Sequence, residues 1–203
     1  MSQLEHLITL LSIILGLGLT DLAQSLRNLV RPVPPVRWHW LPLLWVVFAL
    51  LLVINIWWGA YDLLQADIWA NPVAFLLVVL MGLCLYLVCA FALPDVQWES
   101  PSAEPASTGS AGLDLEAFYF SASHRRWFFG TLIVLFVIAF VGNIVGASLK
   151  ETAIVQNALL NLAVVGVYGL LIVTERKAVH VIVALASLAM MLVTLLNVGP
   201  DLG

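Results

Sequence analysis

The chain has 203 residues, of which 63% are hydrophobic and 10% are charged, and its mean hydropathy is +1.06. Soluble domains carry roughly 25% charged residues, so this composition excludes an ordinary water-soluble domain. The formal net charge of −4 offers no basic surface that could neutralise phosphates, which excludes nucleic acid as a partner.

Long apolar runs alternate with short polar stretches along the chain. A bilayer core about 30 Å thick needs roughly 20 helical residues to cross it. The runs are leucine-rich and lack the alternation of barrel strands, so they predict helices. The fold class is therefore predicted as all-α integral membrane, a six-span transmembrane helical bundle. The predicted spans are Leu7–Val30, Trp40–Tyr61, Pro72–Leu93, Trp127–Leu149, Ala153–Thr174 and Ala178–Val198.

The polar stretches define the predicted organisation of the chain. Spans 1–3 fall within residues 1–94 and spans 4–6 within residues 127–203. Residues 95–112 are rich in Ser, Pro, Ala and Gly, which is typical of a flexible, solvated linker. Residues 113–126 are predicted to form a short interfacial helix on the inner leaflet. Its apolar side would consist of Leu115, Phe118, Tyr119 and Ala122.

Basic residues fall almost entirely on one side of the predicted spans, and Lys150 alone lies on the other. The positive-inside rule makes the basic side cytoplasmic, so both termini are predicted outside, N-out and C-out. Tryptophans such as Trp40 and Trp127 mark the predicted boundaries, as in aromatic belts. The basic residues of the cytoplasmic face are Arg27, Arg31, Arg37, Arg125, Arg126, Arg176 and Lys177.

Two segments carry a resemblance to known proteins. LSIILGLGLTDL near the start and HRRWFF at the opening of span 4 resemble a loose group of small bacterial multi-pass inner-membrane proteins with no known activity. The resemblance implies a bacterial cell inner (cytoplasmic) membrane location and brings no site residues with it.

Motifs of soluble catalysis are missing from the sequence, including phosphate-binding glycine loops, the nucleophile elbow and HExxH. We therefore expect neither an enzyme nor a bound cofactor or metal. Cys84 and Cys89 are expected to be buried free thiols. Three histidines near the cytoplasmic interface favour solvated side chains, with a metal, haem or quinone site as the alternative. They are His39, His124 and His180.

Span 1 carries polar and small residues at three- and four-residue spacing, which places them on one helix face. Its small-xxx-small series favours close helix packing, and a path-lining polar face is the alternative. Gly142 and Gly146 on span 4 form a GxxxG step that also predicts helix packing. The face on span 1 consists of Glu5, Thr9, Ser12, Gly16 and Thr20.

Asp21 is the acidic residue interior to span 1. An intramembrane carboxylate is costly and is usually paired or functional. Two interpretations stay open: an ion pair with Arg126, Arg176 or Lys177, or a buried carboxyl that exchanges a proton.

Amide side chains form a second polar group, predicted in the outer half of the bilayer. Unpaired amides are costly in hydrocarbon, so they should turn inward. There they would form either interhelical contacts or a hydrated vestibule. They are Asn55, Asn143, Asn157 and Asn161.

Two functions follow from these patterns. The first is a channel- or permease-like protein for an ion or small polar solute, with the amides as vestibule and Asp21 near the inner mouth. The alternative is a non-transporting scaffold or accessory subunit that binds partner helices. The expected partners are the lipid bilayer and either a second copy of the chain or another membrane protein.

Overall fold

The computed structural model describes residues 3–30, 36–64, 72–95, 113–146 and 151–198. This part of the chain contains seven helices and two short parallel strands. The helices are α1 (Gln3–Val30), α2 (Trp40–Leu64), α3 (Pro72–Phe91), α4 (Leu115–Phe120), α5 (Ala122–Gly146), α6 (Glu151–Val173) and α7 (Lys177–Val198). The strands are β1 (Val36–Arg37) and β2 (Leu113–Asp114).

All six predicted spans coincide with helices, which confirms the all-α character of the fold. Five helices, α1, α2, α3, α5 and α7, are long and apolar enough to cross a membrane. Within the described residues, the apolar part of α6 spans Asn157–Val173, which is shorter than the other five. The count of six spans and their orientation stay predictions.

Helix boundaries follow local chemistry. Pro72 opens α3, where its missing N–H costs nothing because the first N–H groups of a helix have no intrahelical partner. Pro94 follows the end of α3 and cannot continue the helix. The carboxylate of Asp114 caps α4 by accepting from the backbone N–H groups of Glu116 at 2.9 Å and Ala117 at 3.1 Å.

The two groups of three predicted spans pack against each other. Helix α3 lies between α1 and α5, α5 also packs along α6, and α2 packs on α7. Glycines allow the close approach of α1 and α3: a Cβ at Gly18 would lie 3.2 Å from the Tyr86 Cα, and one at Gly82 would lie 2.8 Å from a Leu11 methyl. The core is therefore shared by both halves of the chain.

The outer surface of the helices is strongly apolar. Several large side chains that touch little else in the chain are more than half exposed. Soluble monomers rarely expose contiguous apolar surface of this kind, whereas lipid solvates it without cost. This surface fits an integral membrane protein. The most exposed of these side chains are Val173, Leu196, Leu162, Ile182, Leu159 and Met190.

Residues 113–126, predicted as one interfacial helix, are divided in the structure between β2, α4 and the start of α5, and the interfacial location stays a prediction. The chain first forms α4, a helix of six residues. The helix ends at Ser121, whose backbone is extended at φ −62° and ψ 140°, and α5 begins at the next residue. The predicted apolar side is turned into the bundle, since Leu115 and Tyr119 are fully buried and Phe118 is nearly so.

Candidate functional site

The ion pairs of the described residues gather at one end of the bundle, where α4 meets β1 and the first turns of α5 and α7. Arg37, Arg125 and Lys177 all lie there, and we call this region the basic end. It also contains a buried hydrogen-bond chain, a set of ion pairs and a cavity.

The buried chain begins at Trp45 on α2. Its indole N–H donates to the Tyr119 hydroxyl at 2.8 Å, and that hydroxyl lies 2.8 Å from Nδ1 of His180. Because an indole can only donate, the Tyr119 O–H is left to donate to Nδ1. Nε2 of His180 then carries the ring proton and donates to the Thr174 carbonyl oxygen at 3.0 Å. Each side-chain polar atom of this chain of hydrogen bonds therefore has a partner, as buried polar groups require.

Burial also affects the chemistry of Tyr119. Loss of water around the phenol raises its pKa well above the usual value, and the hydrogen bond from Trp45 and the charge of Arg125 offset only part of this effect. Tyr119 is therefore a neutral hydrogen-bonding bridge at every physiological pH.

Arg125, in the first turn of α5, closes the end of α6. Its guanidinium donates to the Thr174 carbonyl at 2.7 Å and to a carboxylate oxygen of Glu175 at 2.6 Å. The Arg125 side chain is 6% exposed, whereas that of Glu175 is 73% exposed. The final carbonyls of a helix lack intrahelical partners, so Arg125 satisfies the backbone as well as an ion pair.

The short helix α4 is tied to its surroundings by charge. Arg37 of β1 lies 3.4 Å from the Asp114 carboxylate, and Lys177 of α7 pairs with Glu116. The imidazole of His39 lies 3.9 Å from the same Glu116. These contacts attach the segment after the linker to α2 on one side and to α7 on the other.

A cavity of about 420 Å³ lies beside this network, between α1, α3, α4 and α5. Its size falls within the range of small-molecule sites, roughly 300–1,000 Å³. Its described lining contains two carboxylates, three hydroxyls and a histidine together with aromatic rings, and it contains no lysine or arginine. The lining residues are Asp21, Ser25, Ala90, Phe91, Leu93, Asp95, Phe118, Ser121, Ser123, His124 and Trp127.

His124 is the most deeply buried polar residue of the cavity wall, with 5% of its surface exposed. Its ring stacks on Phe128 at a centroid distance of 5.3 Å and lies 4.4 Å from the Phe118 ring. The Nε2 atom of the ring has no partner within the described part of the chain. An unpartnered buried nitrogen is costly.

The favoured interpretation of the histidines as solvated side chains is wrong for two of the three. His124 is nearly fully buried and His180 has no exposed surface, because the aromatic rings of α4 pack against both. His39 is only half-buried and accepts from the Leu41 backbone N–H at 3.3 Å. Among the described residues, no group of three or more His, Cys, Asp or Glu side chains could hold a metal ion.

The polar face of span 1 lies on the outside of the single chain. Thr9, Ser12, Gly16 and Thr20 are exposed, as is Glu5. The three hydroxyls donate at 2.7 Å to carbonyl oxygens one turn earlier in their own helix. The face therefore lines no path within the described part of this chain, and the path-lining alternative finds no support there.

Two of the glycines predicted to pack helices have open space beside them. A Cβ added at Gly16 or Gly142 would meet nothing within 4 Å, whereas Gly18 and Gly82 form the close contacts. Gly16 and Gly142 therefore do not pack helices within the described chain, and packing against a partner stays a prediction. The surroundings of Gly146 lie outside the described part of the structure.

Asp21 is half-buried and lines the cavity. Among the described residues no ion pair joins Asp21 to any of its three predicted partners, and Lys177 pairs with Glu116 instead. The structure thus places Asp21 beside Ser25, Asp95 and His124 instead.

The amides do not converge in the described residues. Asn55, Asn157 and Asn161 are half-buried on α2 and α6, and no hydrogen bond joins them there. The Oδ1 atom of Asn161 is buried without a partner in the described part of the chain. The side chain of Asn143 lies outside the described residues. The vestibule stays a prediction.

The remaining predicted basic residues are peripheral to the cavity. Arg27, Arg126 and Arg176 are exposed, Arg27 at the last turn of α1, and Arg31 lies outside the described residues. Cys84 and Cys89 are buried and free, as predicted.

Several important residues escaped the sequence analysis. The sequence pattern could not distinguish Trp45 from a tryptophan that faces lipid or belongs to the aromatic belt. Trp45 lies more than one helical turn after Trp40, the first residue of α2. Tyr119 and His180 belong to different predicted segments, and nothing in the pattern paired them. Ser25 and Asp95 flank the predicted membrane boundaries, where polar residues are ordinarily solvated.

Comparison with protein-family models, curated proteins and solved structures finds no significant match to the chain.

Proposed function

We propose that this chain is a permease-like membrane protein that receives a small polar solute or ion in the cavity at its basic end. One observation carries the proposal: a cavity of about 420 Å³ brings the intramembrane Asp21 together with Asp95 and His124 at the end of an otherwise apolar bundle. Polar groups inside membrane helices are costly and are retained for substrates, protons or partners.

The position of the cavity adds support. It opens at the end that the positive-inside rule assigns to the cytoplasm, so the solute would enter or leave the protein there. The cavity lies between α1, α3 and α5, whose close packing continues along the bundle. Passage through the bilayer would therefore require these helices to move apart, as in alternating access, and a permanently open pore is disfavoured.

The proposal is tested by flux into proteoliposomes across a panel of ions and small polar solutes. We expect uptake above that of protein-free liposomes for one class of solute. Asp21→Asn keeps the shape of the side chain and removes its charge, so it should reduce that uptake at least about tenfold with normal folding, since a lost charged contact costs roughly 1.5–3 kcal/mol. Thr194→Val, which removes an exposed hydroxyl that bonds only within α7, is the matched control. Absence of uptake across the panel contradicts transport.

A second candidate function is a membrane scaffold or accessory subunit, and the exposed face of α1 favours it. Ser12, Gly16 and Thr20 present small, internally hydrogen-bonded side chains that allow another helix to approach closely. Native mass spectrometry from lipid nanodiscs tests self-association: Gly16→Phe should dissociate an oligomer that the parent chain forms. If the parent chain is monomeric in this measurement, self-association is excluded as the role of this face.

A further inference from the structure

The first turn of α5 is tied to the connection between α6 and α7 by Arg125. Its guanidinium donates to the Glu175 carboxylate at 2.6 Å and to the Thr174 carbonyl at 2.7 Å. The next residue in each segment is an arginine, Arg126 after Arg125 and Arg176 after Glu175. The contacts of Arg125 therefore hold the backbones of two further arginines near each other at the basic end.

Arg126 and Arg176 are cations without a counter-charge in the described ranges. Both residues are exposed, and neither takes part in an ion pair formed within those ranges. The adjoining carboxylate of Glu175 is already paired with Arg125. A guanidinium presents a planar fork of donors that matches the oxygens of a phosphate group. Two such groups near one another favour an anionic ligand.

The surface that adjoins the two arginines is apolar. On α6, Val173 lies three residues before Arg176 and is 81% exposed. On α5, the face that begins at Arg126 continues one and two turns later with Gly130 and Val134. A Cβ at Gly130 would meet nothing within 4 Å, and Val134 is 50% exposed. Acyl chains solvate such surface, so a ligand that covers the whole region is anionic at one end and apolar along the rest.

From these observations we infer that an anionic phospholipid binds where α5 begins and α6 ends. Its headgroup phosphate accepts from the guanidinium groups of Arg126 and Arg176, and its acyl chains lie along the faces that carry Val134 and Val173. A soluble phosphate ester would satisfy the arginines but would leave the apolar faces uncovered. Neither arginine lines the cavity, so this lipid site goes beyond the proposed function and does not rest on it.

Native mass spectrometry of the full chain in detergent tests this inference, because a titration with one phospholipid resolves each lipid that stays bound. The probe is dioleoylphosphatidylglycerol. Its control is dioleoylphosphatidylcholine, which has the same acyl chains and no net charge. We expect the first phosphatidylglycerol to bind at least about tenfold more tightly than the first phosphatidylcholine, because two cations contact its phosphate. Equal affinities would overturn the inference.

Variants assign the lipid to the two arginines. Arg126→Gln and Arg176→Gln should each weaken phosphatidylglycerol binding roughly fivefold, the contribution of one cation near a membrane surface. Arg27→Gln is the matched control, because Arg27 is also an exposed cation, at the last turn of α1, and α3 lies between α1 and α5. Its binding of phosphatidylglycerol should be unchanged. Thermal unfolding checks that all three exposed substitutions leave the fold intact.

The outcomes distinguish a lipid site from the other sources of the same attraction. Equal losses in all three variants would show that the overall charge attracts the lipid, and undiminished binding by Arg126→Gln and Arg176→Gln would show that these arginines do not hold it. Glycerol 3-phosphate, added in large excess, should leave the lipid bound, and displacement by it would indicate a site for soluble anions. Each of these three results overturns the inference, and none of them depends on solute transport.

Discussion

Individual residues at the basic end differ in what they contribute to stability. Tyr119 accepts from one buried donor and donates to one buried acceptor, and neither Trp45 nor His180 has water to replace it. Hydrogen bonds of this kind have modest net value when made but are costly to leave unmade. The residue is therefore a bridge between α2 and α7 and not a lipid-facing aromatic.

Tyr119→Phe should lower the free energy of unfolding by about 1–3 kcal/mol, because it leaves the Trp45 N–H and the His180 Nδ1 unpaired. The measurement is thermal unfolding in detergent. Tyr168→Phe is the matched control, since its hydroxyl has only a long contact of 3.4 Å with Ser187. Equal losses in the two variants would show that the buried bridge contributes no more than the long Tyr168–Ser187 contact.

Arg125 and Glu175 form an ion pair whose members should respond unequally to mutation. Arg125→Gln removes a buried charge that also satisfies the Thr174 carbonyl, with an expected loss of about 1.5–3 kcal/mol. Glu175→Gln should cost less than about 1 kcal/mol because Glu175 is largely exposed. Thermal unfolding compares them, and a larger loss for Glu175→Gln would contradict the backbone-capping role of Arg125.

At the scale of the elements, the helices of the bundle could be predicted and their contacts could not. Apolar runs of sufficient length fix helix positions through the cost of unsatisfied backbone in lipid, so the bounds of α2 and α3 nearly match the prediction. Periodicity on α1 also showed that one face is small and polar. It could not show that the opposite side, with Gly18, packs on α3, since membrane helices lack a hydrophobic force that would distinguish inner from outer faces.

Two glycines on α1 test this assignment of faces. Gly18→Ala should destabilise the fold, because its Cβ would lie 3.2 Å from the backbone of Tyr86. Gly16→Ala should be neutral or stabilising by up to about 1 kcal/mol, because alanine has the higher helix propensity and the added methyl meets nothing. Thermal unfolding of both variants decides the matter. If Gly16→Ala destabilised the chain more than Gly18→Ala, the face of α1 that carries Gly16 would be the one packed in the bundle.

At the scale of the whole molecule, composition alone predicted a membrane bundle, but the site depends on contacts distant in sequence. Helix α4 was predicted on the lipid surface because its own residues give it an apolar and a polar side. Its actual location depends on Trp45 and His180, which lie far away in the sequence. Asp21 was the one cavity residue that the sequence indicated, because a carboxylate inside an apolar run is conspicuous by itself.

Orientation in the membrane is testable with reporter fusions. The distribution of basic residues predicts that a reporter active only in the periplasm is active after Gly203 and silent within residues 100–110. The reverse pattern would place the basic end outside.

The central claim, that a water-filled solute cavity opens at the basic end on the cytoplasmic side, is tested most directly by cysteine accessibility. Ser25→Cys lines the cavity, whereas Ser12→Cys on the same helix faces outward. A membrane-impermeant maleimide should label Ser25→Cys in inside-out vesicles only, and should leave Ser12→Cys and the parent chain, whose thiols are buried, unlabelled. Labelling of Ser25→Cys from the periplasmic side, or from neither side, would contradict the account.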